Sequence, residues 1–401
     1  MKIWKIHEKK ITKHKSGITL VALVVTIVVL LILAGVSINL VLGNNGIIAK
    51  AKDAETKSAE ASQNDLKGMS DLEDEMDKQL GTYDPLKKIP TKTLEEAKVD
   101  FVKEKTKVEF SDGNVIIPEG FKIADVPASK VQNGVVIEDK DGNQFVWVPV
   151  ATIADYKRTA YSGQVATEET DTETNSTKIY DSDEEYYFTE ALPEDEKTSV
   201  ERYKGFYIGR YEAGDKESTG TTKATFRTSS SDTSNSVTIK ANQVPYNYVT
   251  RTQAISLAEG FKTQQGYKAK TKLVSSYAWD TTIAFIEKTV NNYGSSSSQG
   301  NYRNTSVTYK DITDESKPEK TKAENSLLLV ATGQTTPVCN IYDMGGNIWE
   351  MTTESYSSTN YPCAERGGNY YFFFAGSPAG NRGAYSDNAN DPIGFRLTLF
   401  M

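Results

Sequence analysis

The chain has 401 residues, 38% apolar and 25% charged, the composition of a globular protein long enough for one large or two ordinary domains. Its formal net charge of −8, with no Lys/Arg cluster in the globular part, argues against a nucleic-acid partner. The only histidines, His7 and His14, precede the first apolar run, so a chain cut there has none, which excludes Ser-His-Asp and Cys-His catalysis and histidine-held zinc or iron.

The first element is the run "ITLVALVVTIVVLLILAGVSINLVL", Ile18 to Leu42, which contains no charged residue. At about 1.5 Å per residue it is long enough to cross a hydrocarbon core of roughly 30 Å. Lys2, Lys5, Lys9, Lys10, Lys13 and Lys15 stand before it against Glu8 alone, so the N-terminus is expected in the cytoplasm and the rest of the chain outside. Beyond it, Leu66, Met69, Leu72, Met76 and Leu80 recur at spacings of three and four, one face of a helix that Gly81 and Pro85 end.

"KHKSGITLVALVVTIVVLLILAGVSINLVL" resembles the N-terminus of type IV prepilins and pilin-like proteins. The resemblance implies a basic leader over 1–17, cleavage between Gly17 and Ile18, a continuous stem over 18–80, and other pilin-like subunits as partners. Ala22 departs from it, standing where the family often has Glu.

Residues 81–113 read as a linker. From Asn114 to Met401 the chain turns to short strands and turns, "NVIIPEGFKI", "GVVIEDKDGNQFVWVPV" and "GFYIGRYEAG", followed by the helical stretches "RTQAISLAEGFK" and "SSYAWDTTIAFIEKTV". Strands, then helices, then a long Gly-, Asn- and Ser-rich close imply an α+β domain with many loops. Within it, about 160–202 is an acidic insertion: from Glu168 to Arg202 about thirteen acidic residues face three basic ones, the pattern of a solvated loop.

In order, "FVWVPV", "GFYIGRYEAG", "VPYNYVTRTQAISLAE", "KLVSSYAWD", "NIYDMGGNIWEMTTE", "RGGNY" and "IGFRL" resemble the formylglycine-generating-enzyme or sulfatase-modifying-factor family, a variant of the C-type lectin fold. Its enzymes oxidise a substrate cysteine at a copper site built from two cysteines after the "RGG" motif, and a second branch holds iron with histidine. No cysteine lies between Arg366 and Met401, so neither copper nor iron is expected and the domain reads as a non-catalytic binder. A modifying enzyme of the family's type, or a structural minor pilin, is the alternative. Cys339 and Cys363 are an even pair outside the membrane and read as a disulfide. In "YDMGGNIWEM", Asp343 and Glu350 with the carbonyls of Gly346 and Ile348 match the family's structural Ca²⁺ positions. The same motif reads equally as a hydrogen-bonded turn with Trp349 in the core.

The closing segment also resembles the variable proteins of diversity-generating retroelements. Tyr370, Tyr371, Phe372, Phe373, Phe374, Tyr385, Asp387, Asn388 and Asn390 combine rigid aromatics with short polar groups, the mixture of recognition surfaces. The function expected from sequence is thus a membrane-tethered surface protein presenting a ligand-binding domain to an extracellular protein or glycan. N-terminal sequencing of membrane-extracted protein should begin at Ile18; a start at Met1 would end the prepilin reading.

Overall fold

The computed structural model describes residues 84–401 except 162, 168–176, 181–184, 219–234, 297 and 313–315, together with helical residues between 23 and 76 that include 23–33 and 50–54. The chain divides into two units, Met1–Asp84 and Pro85–Met401. In the first, Met69, Leu72 and Met76 are helical and exposed. Gly17, Ile18, Leu66, Leu80 and most of the run ending at Leu42 lie outside the described residues, and no described helix is long and apolar enough to cross a membrane.

The second unit is a mixed α+β domain. In chain order its main elements are β1 (Phe121–Ile123), β2 (Val136–Asp139), β3 (Gln144–Pro149), β4 (Val165–Thr167), β5 (Lys178–Tyr180), β6 (Tyr187–Thr189), α1 (Glu194–Tyr203) and β7 (Gly205–Gly209). There follow α2 (Arg251–Gln265), β8 (Lys270–Leu273), α3 (Ser276–Glu287), β9 (Trp349–Tyr356), β10 (Cys363–Arg366), β11 (Arg382–Tyr385), β12 (Ile393–Phe395) and β13 (Leu397–Phe400).

One sheet runs β8-β13-β7-β3-β2-β1 and is antiparallel throughout. Its central strands come from "FVWVPV" and "GFYIG", which are apolar at every position because both faces are covered. Alternate side chains serve separate cores: Phe145, Trp147 and Tyr207 join the cluster that holds Ala254, Ala258 and Phe261 of α2. Val146, Val148, Phe206 and Ile208 join the cluster that holds Ala278, Trp279, Ile283 and Ile286 of α3. The two helices therefore sit on opposite faces of one sheet, as period-two alternation requires. Local chemistry fixes their ends. Thr250 and Gln253 form a capping box before α2, Gly266 closes it at φ +74°, and the Ser275 hydroxyl accepts from the Ala278 N–H at the start of α3. Gly205 admits the close approach of β3, since a Cβ there would stand 2.3 Å from the Trp147 ring.

The second sheet runs β11-β10-β9-β6-β5-β4, with β12 parallel to β9. Two sequence expectations change here. The stretch read as a linker is folded from Pro85 onward: Thr106–Phe110 pairs with Gly113–Ile117, and Ala97, Val102 and Val108 are buried. The described part of the acidic insertion supplies β4, β5, β6 and α1 instead of a solvated loop. Two of its acids have partners inside: Glu190 accepts from the Ser276 N–H at 2.7 Å, and Glu196 accepts from Tyr156 at 2.6 Å and Ser275 at 2.7 Å.

The second sheet is tied to α3 by ions. Asp280 of α3 and Glu354 of β9 are completely buried and face three guanidinium groups, from Arg158, Arg366 of β10 and Arg382 of β11. The Arg382 Nε donates to both Glu354 oxygens at 2.9 and 3.1 Å, and its Nη2 pairs with Asp280. Arg366 pairs with Asp280 and lies 3.5 Å from Glu354, while its Nε and Nη2 also donate to the carbonyls of Asn381 and Gly380. Burial would raise the Glu354 carboxyl, but Arg382, Arg158 and Arg366 together hold it down at about 2. Because the folded value lies below the ordinary 4.5, its contribution is present above about pH 4.5 and is lost as pH falls through 2. Glu354→Gln should therefore cost about 3 kcal/mol at pH 7 and progressively less toward pH 2. Urea unfolding of parent and variant across that range measures it, and a pH-independent difference would count against the network.

Candidate functional site

The "YDMGGNIWEM" turn, residues 342–351, runs into the start of β9. Glu350 is clamped by Arg396, which donates from Nε at 2.9 and 3.1 Å and from Nη2 at 2.6 Å, and the other Arg396 donors reach the carbonyls of Gly209 and Tyr342. Asp343 accepts from the Gly333 N–H at 3.1 Å and the Thr335 hydroxyl at 2.5 Å. The Ile348 N–H and the Asn347 amide donate to the buried Glu212 at 3.3 and 2.8 Å. Burial raises all three acids, Glu350 to about 7. Of the calcium donors expected at Asp343, Gly346, Ile348 and Glu350, the two carboxylates thus already have protein partners. Among the described residues no group of three or more Cys, His, Asp or Glu is placed to hold a metal. The residues fit the turn reading, with Arg396 as the cation and Trp349 in the core.

The disulfide expectation is corrected: Cys339 and Cys363 are both free and buried. They belong to different clusters, Cys339 beside α3, where its thiol meets the Thr289 hydroxyl at 3.5 Å, and Cys363 on β10 in the other core. Burial raises both thiols, Cys363 to about 11 although Arg251 opposes it, so neither is an activated thiolate at neutral pH.

The closing segment divides sharply. Tyr370 is not on the surface: it is 1% exposed and packs with Val244, Leu329 and Ile348. Its hydroxyl and that of half-buried Tyr371 both donate to Asp391, at 3.0 and 2.9 Å. Phe372 and Phe373 are 49% and 46% exposed as consecutive residues, because the backbone here is a chain of turns and strand alternation does not apply. Phe374 turns back against Tyr302, and Tyr385 packs half-buried on the main core. Asp387 caps α2, accepting from the Arg251 N–H at 2.6 Å, so its charge serves the helix start. Asn388 and Asn390 remain exposed.

The structure adds residues that the sequence reading did not select. The Arg303 guanidinium lies 5.6 Å from the Phe373 ring centre, the Arg303 backbone N–H donates to the Phe372 carbonyl at 2.9 Å, and the Asn304 side chain accepts from the Phe374 N–H at 3.2 Å. The Asn325 N–H in turn donates to the Arg303 carbonyl at 2.7 Å. These segments lie about 70 residues before the aromatics with no shared pattern, so only the fold could join them. Asp391 adjoins the selected "SDNAN" and was within reach of the sequence.

A model of the sulfatase-modifying factor enzyme 1-like domain matches residues 185–399, more than half of the chain. The chain belongs to that family. Three solved structures are similar at low identity: CarF, 15% identical over 49% of this chain and 87% of that one, TM-score 0.32; PvdO from Pseudomonas aeruginosa, 16% over 66% and 98%, TM-score 0.31; and Treponema denticola variable protein 1, 13% over 65% and 96%, TM-score 0.30. No curated protein matches.

In this family member one more residue marks the underside of the closing segment. Glu365 of β10 is 7% exposed, and its Oε2 has no hydrogen-bond partner among the described residues. It faces Gly383 of β11, where a Cβ would stand 2.8 Å from its Oε1. Burial alone lifts its carboxyl to about 8. The folded state therefore prefers the protonated form, and that contribution is complete below about pH 4.5 and lost as pH rises through 8. Glu365→Gln should match the parent at pH 4.5 and exceed it by about 3–4 kcal/mol near pH 8.5. Thermal unfolding at the two pH values checks this; equal stability at both would place the carboxyl in water.

Proposed function

We propose that this protein is a non-catalytic member of the family which binds an extracellular protein through the face made by Tyr371, Phe372, Phe373 and Arg303. The observation that carries the reading is the pair Phe372 and Phe373, two adjacent large apolar side chains left about half exposed on a rigid frame. Exposed aromatics beside an arginine are the composition of binding hot spots. A rigid ring presents large contact area at little entropic cost.

Chemistry supports the non-catalytic part. The chain has no histidine after His14, no cysteine after Cys363, and the thiols it has are buried, apart and raised in pKa. The uncharged run from Ile18 to Leu42, behind its six lysines, supports a tether that leaves this face outside the cell.

The test separates folding from binding. Phe372→Ser and Phe373→Ser should each lower stability by no more than about 1 kcal/mol, against about 3–5 kcal/mol for buried Tyr370→Ser. Each exposed-ring variant should weaken capture of a protein ligand, selected from an extracellular protein array, about thirtyfold. With copper(I), oxygen and a cysteine-containing sulfatase peptide, the full chain should leave the cysteine unchanged. Conversion of that cysteine, or unfolding of the Phe372 and Phe373 variants comparable to Tyr370→Ser, would sink the reading.

A further inference from the structure

A second recessed surface, whose wall segments stand on either side of Arg303 in the chain, goes beyond the reading above. The segments 298–300, 305–308 and 334–336 enclose a cleft of about 370 Å³, within the roughly 300–1,000 Å³ of small-ligand sites. Among the described residues no charged side chain lines it. Ser298, Thr308 and Thr336 bring exposed hydroxyls to it, and Val307 is the only apolar side chain among the described residues of its wall. A further cleft of about 250 Å³ continues beyond Thr308 and Gln334, which line both, and adds Tyr309, Asn242 and the Lys310–Glu319 ion pair at 3.3 Å.

The walls are set before any ligand arrives. Gln334 is held at both ends of its amide, accepting from the Lys310 N–H at 3.1 Å and donating to the Lys310 carbonyl at 3.1 Å and to Asn242 at 3.3 Å. The Thr335 hydroxyl is anchored on Asp343, and the Thr305 hydroxyl donates to the Gly300 carbonyl at 2.7 Å. Gly300, at φ +143°, lets the floor close: a Cβ there would meet the Gly345 carbonyl at 1.9 Å. A hydroxyl that donates its single proton to the protein still offers lone pairs, so such a wall presents both acceptors and free donors.

We propose that this pair of clefts binds a neutral oligosaccharide, one ring in the larger cleft and the chain passing Gln334 toward Tyr309. A charged ligand would lose its hydration without a free counter-charge, since the one lysine and one glutamate that line the clefts among the described residues pair with each other. An apolar ligand would strand the hydroxyls and amides. A polyhydroxylated neutral ring matches them in kind, and the Tyr309 ring offers it an apolar platform.

The experiment is ligand-observed NMR on the full chain, with neutral trisaccharides of glucose, mannose, galactose and N-acetylglucosamine as probes and a sialylated trisaccharide as the charged control. At least one neutral probe should bind with a dissociation constant of about 1 mM or tighter. Thr308→Trp and Thr336→Trp, both at exposed wall positions, should weaken it at least tenfold, whereas the Phe372→Ser, Phe373→Ser double variant should leave it unchanged. No binding by any neutral probe, preference for the sialylated one, or retention in both tryptophan variants overturns the proposal. Loss in the phenylalanine variant would move the sugar to the aromatic face and overturn it equally.

Discussion

Two carboxylates and three guanidinium groups share one buried site between α3 and the sheet β11-β10-β9, and they join segments far apart in the chain. Each partner comes from a different place in the chain: Arg158 before β4, Asp280 in α3, Glu354 in β9, Arg366 in β10 and Arg382 in β11. A buried ion leaves water at a cost of several kcal/mol and recovers it only with well-placed partners, so no member tolerates displacement of the others. The network therefore fixes β10 and β11 against the helix in one register. The part of the closing segment from Arg366 to Arg382, which holds the five consecutive aromatics, is anchored in this network at both ends.

That anchoring explains how irregular backbone can be held still. Residues 367–381 form turns, with Gly367 and Gly368 at positive φ and the carbonyls of Gly380 and Asn381 bonded to Arg366. Arg396 repeats the device one layer away, clamping Glu350 while two carbonyls accept its remaining donors. Planar guanidinium forks suit this work because one group joins a carboxylate and a carbonyl in fixed geometry. The loop's position is thus set from beneath, by polar groups that water does not reach.

The sequence made legible what depends on local or periodic chemistry. The strands "FVWVPV" and "GFYIG", the helices after Thr250 and Ser275 and the order of the family phrases all appear as read, because alternation, capping and motif order are local properties. What could not be read is what tertiary contact decides. Acids counted as a solvated run became the half-buried Glu190 and the buried Glu196, each bonded to hydroxyls. An even cysteine count says nothing of the two cores that separate Cys339 from Cys363. At the site, the aromatic stretch was visible as a stretch, but whether Tyr370 points inward and Phe372 outward depends on Asp391 and on the turn between them.

A chain that exposes Phe372 and Phe373 leaves apolar area in water, a loss of about 25 cal/mol per Å² that any inward rotamer would avoid. The rings stay out because the inward space is taken. Tyr370 fills the cluster with Val244, Leu329 and Ile348, Phe374 fills the place against Tyr302, and the Phe372 carbonyl and Phe374 N–H are tied to Arg303 and Asn304. Neighbouring residues of one aromatic run thus carry opposite duties: the outer two anchor the backbone and the inner pair is displayed. Substitution at 372 and 373 changes the presented surface without disturbing the anchors, since their side chains supply none of the hydrogen bonds that hold the segment. The frame fixes the backbone, and the two half-exposed rings rest against its margin, Phe372 edge-on to Trp349 and Phe373 beneath the Arg303 guanidinium.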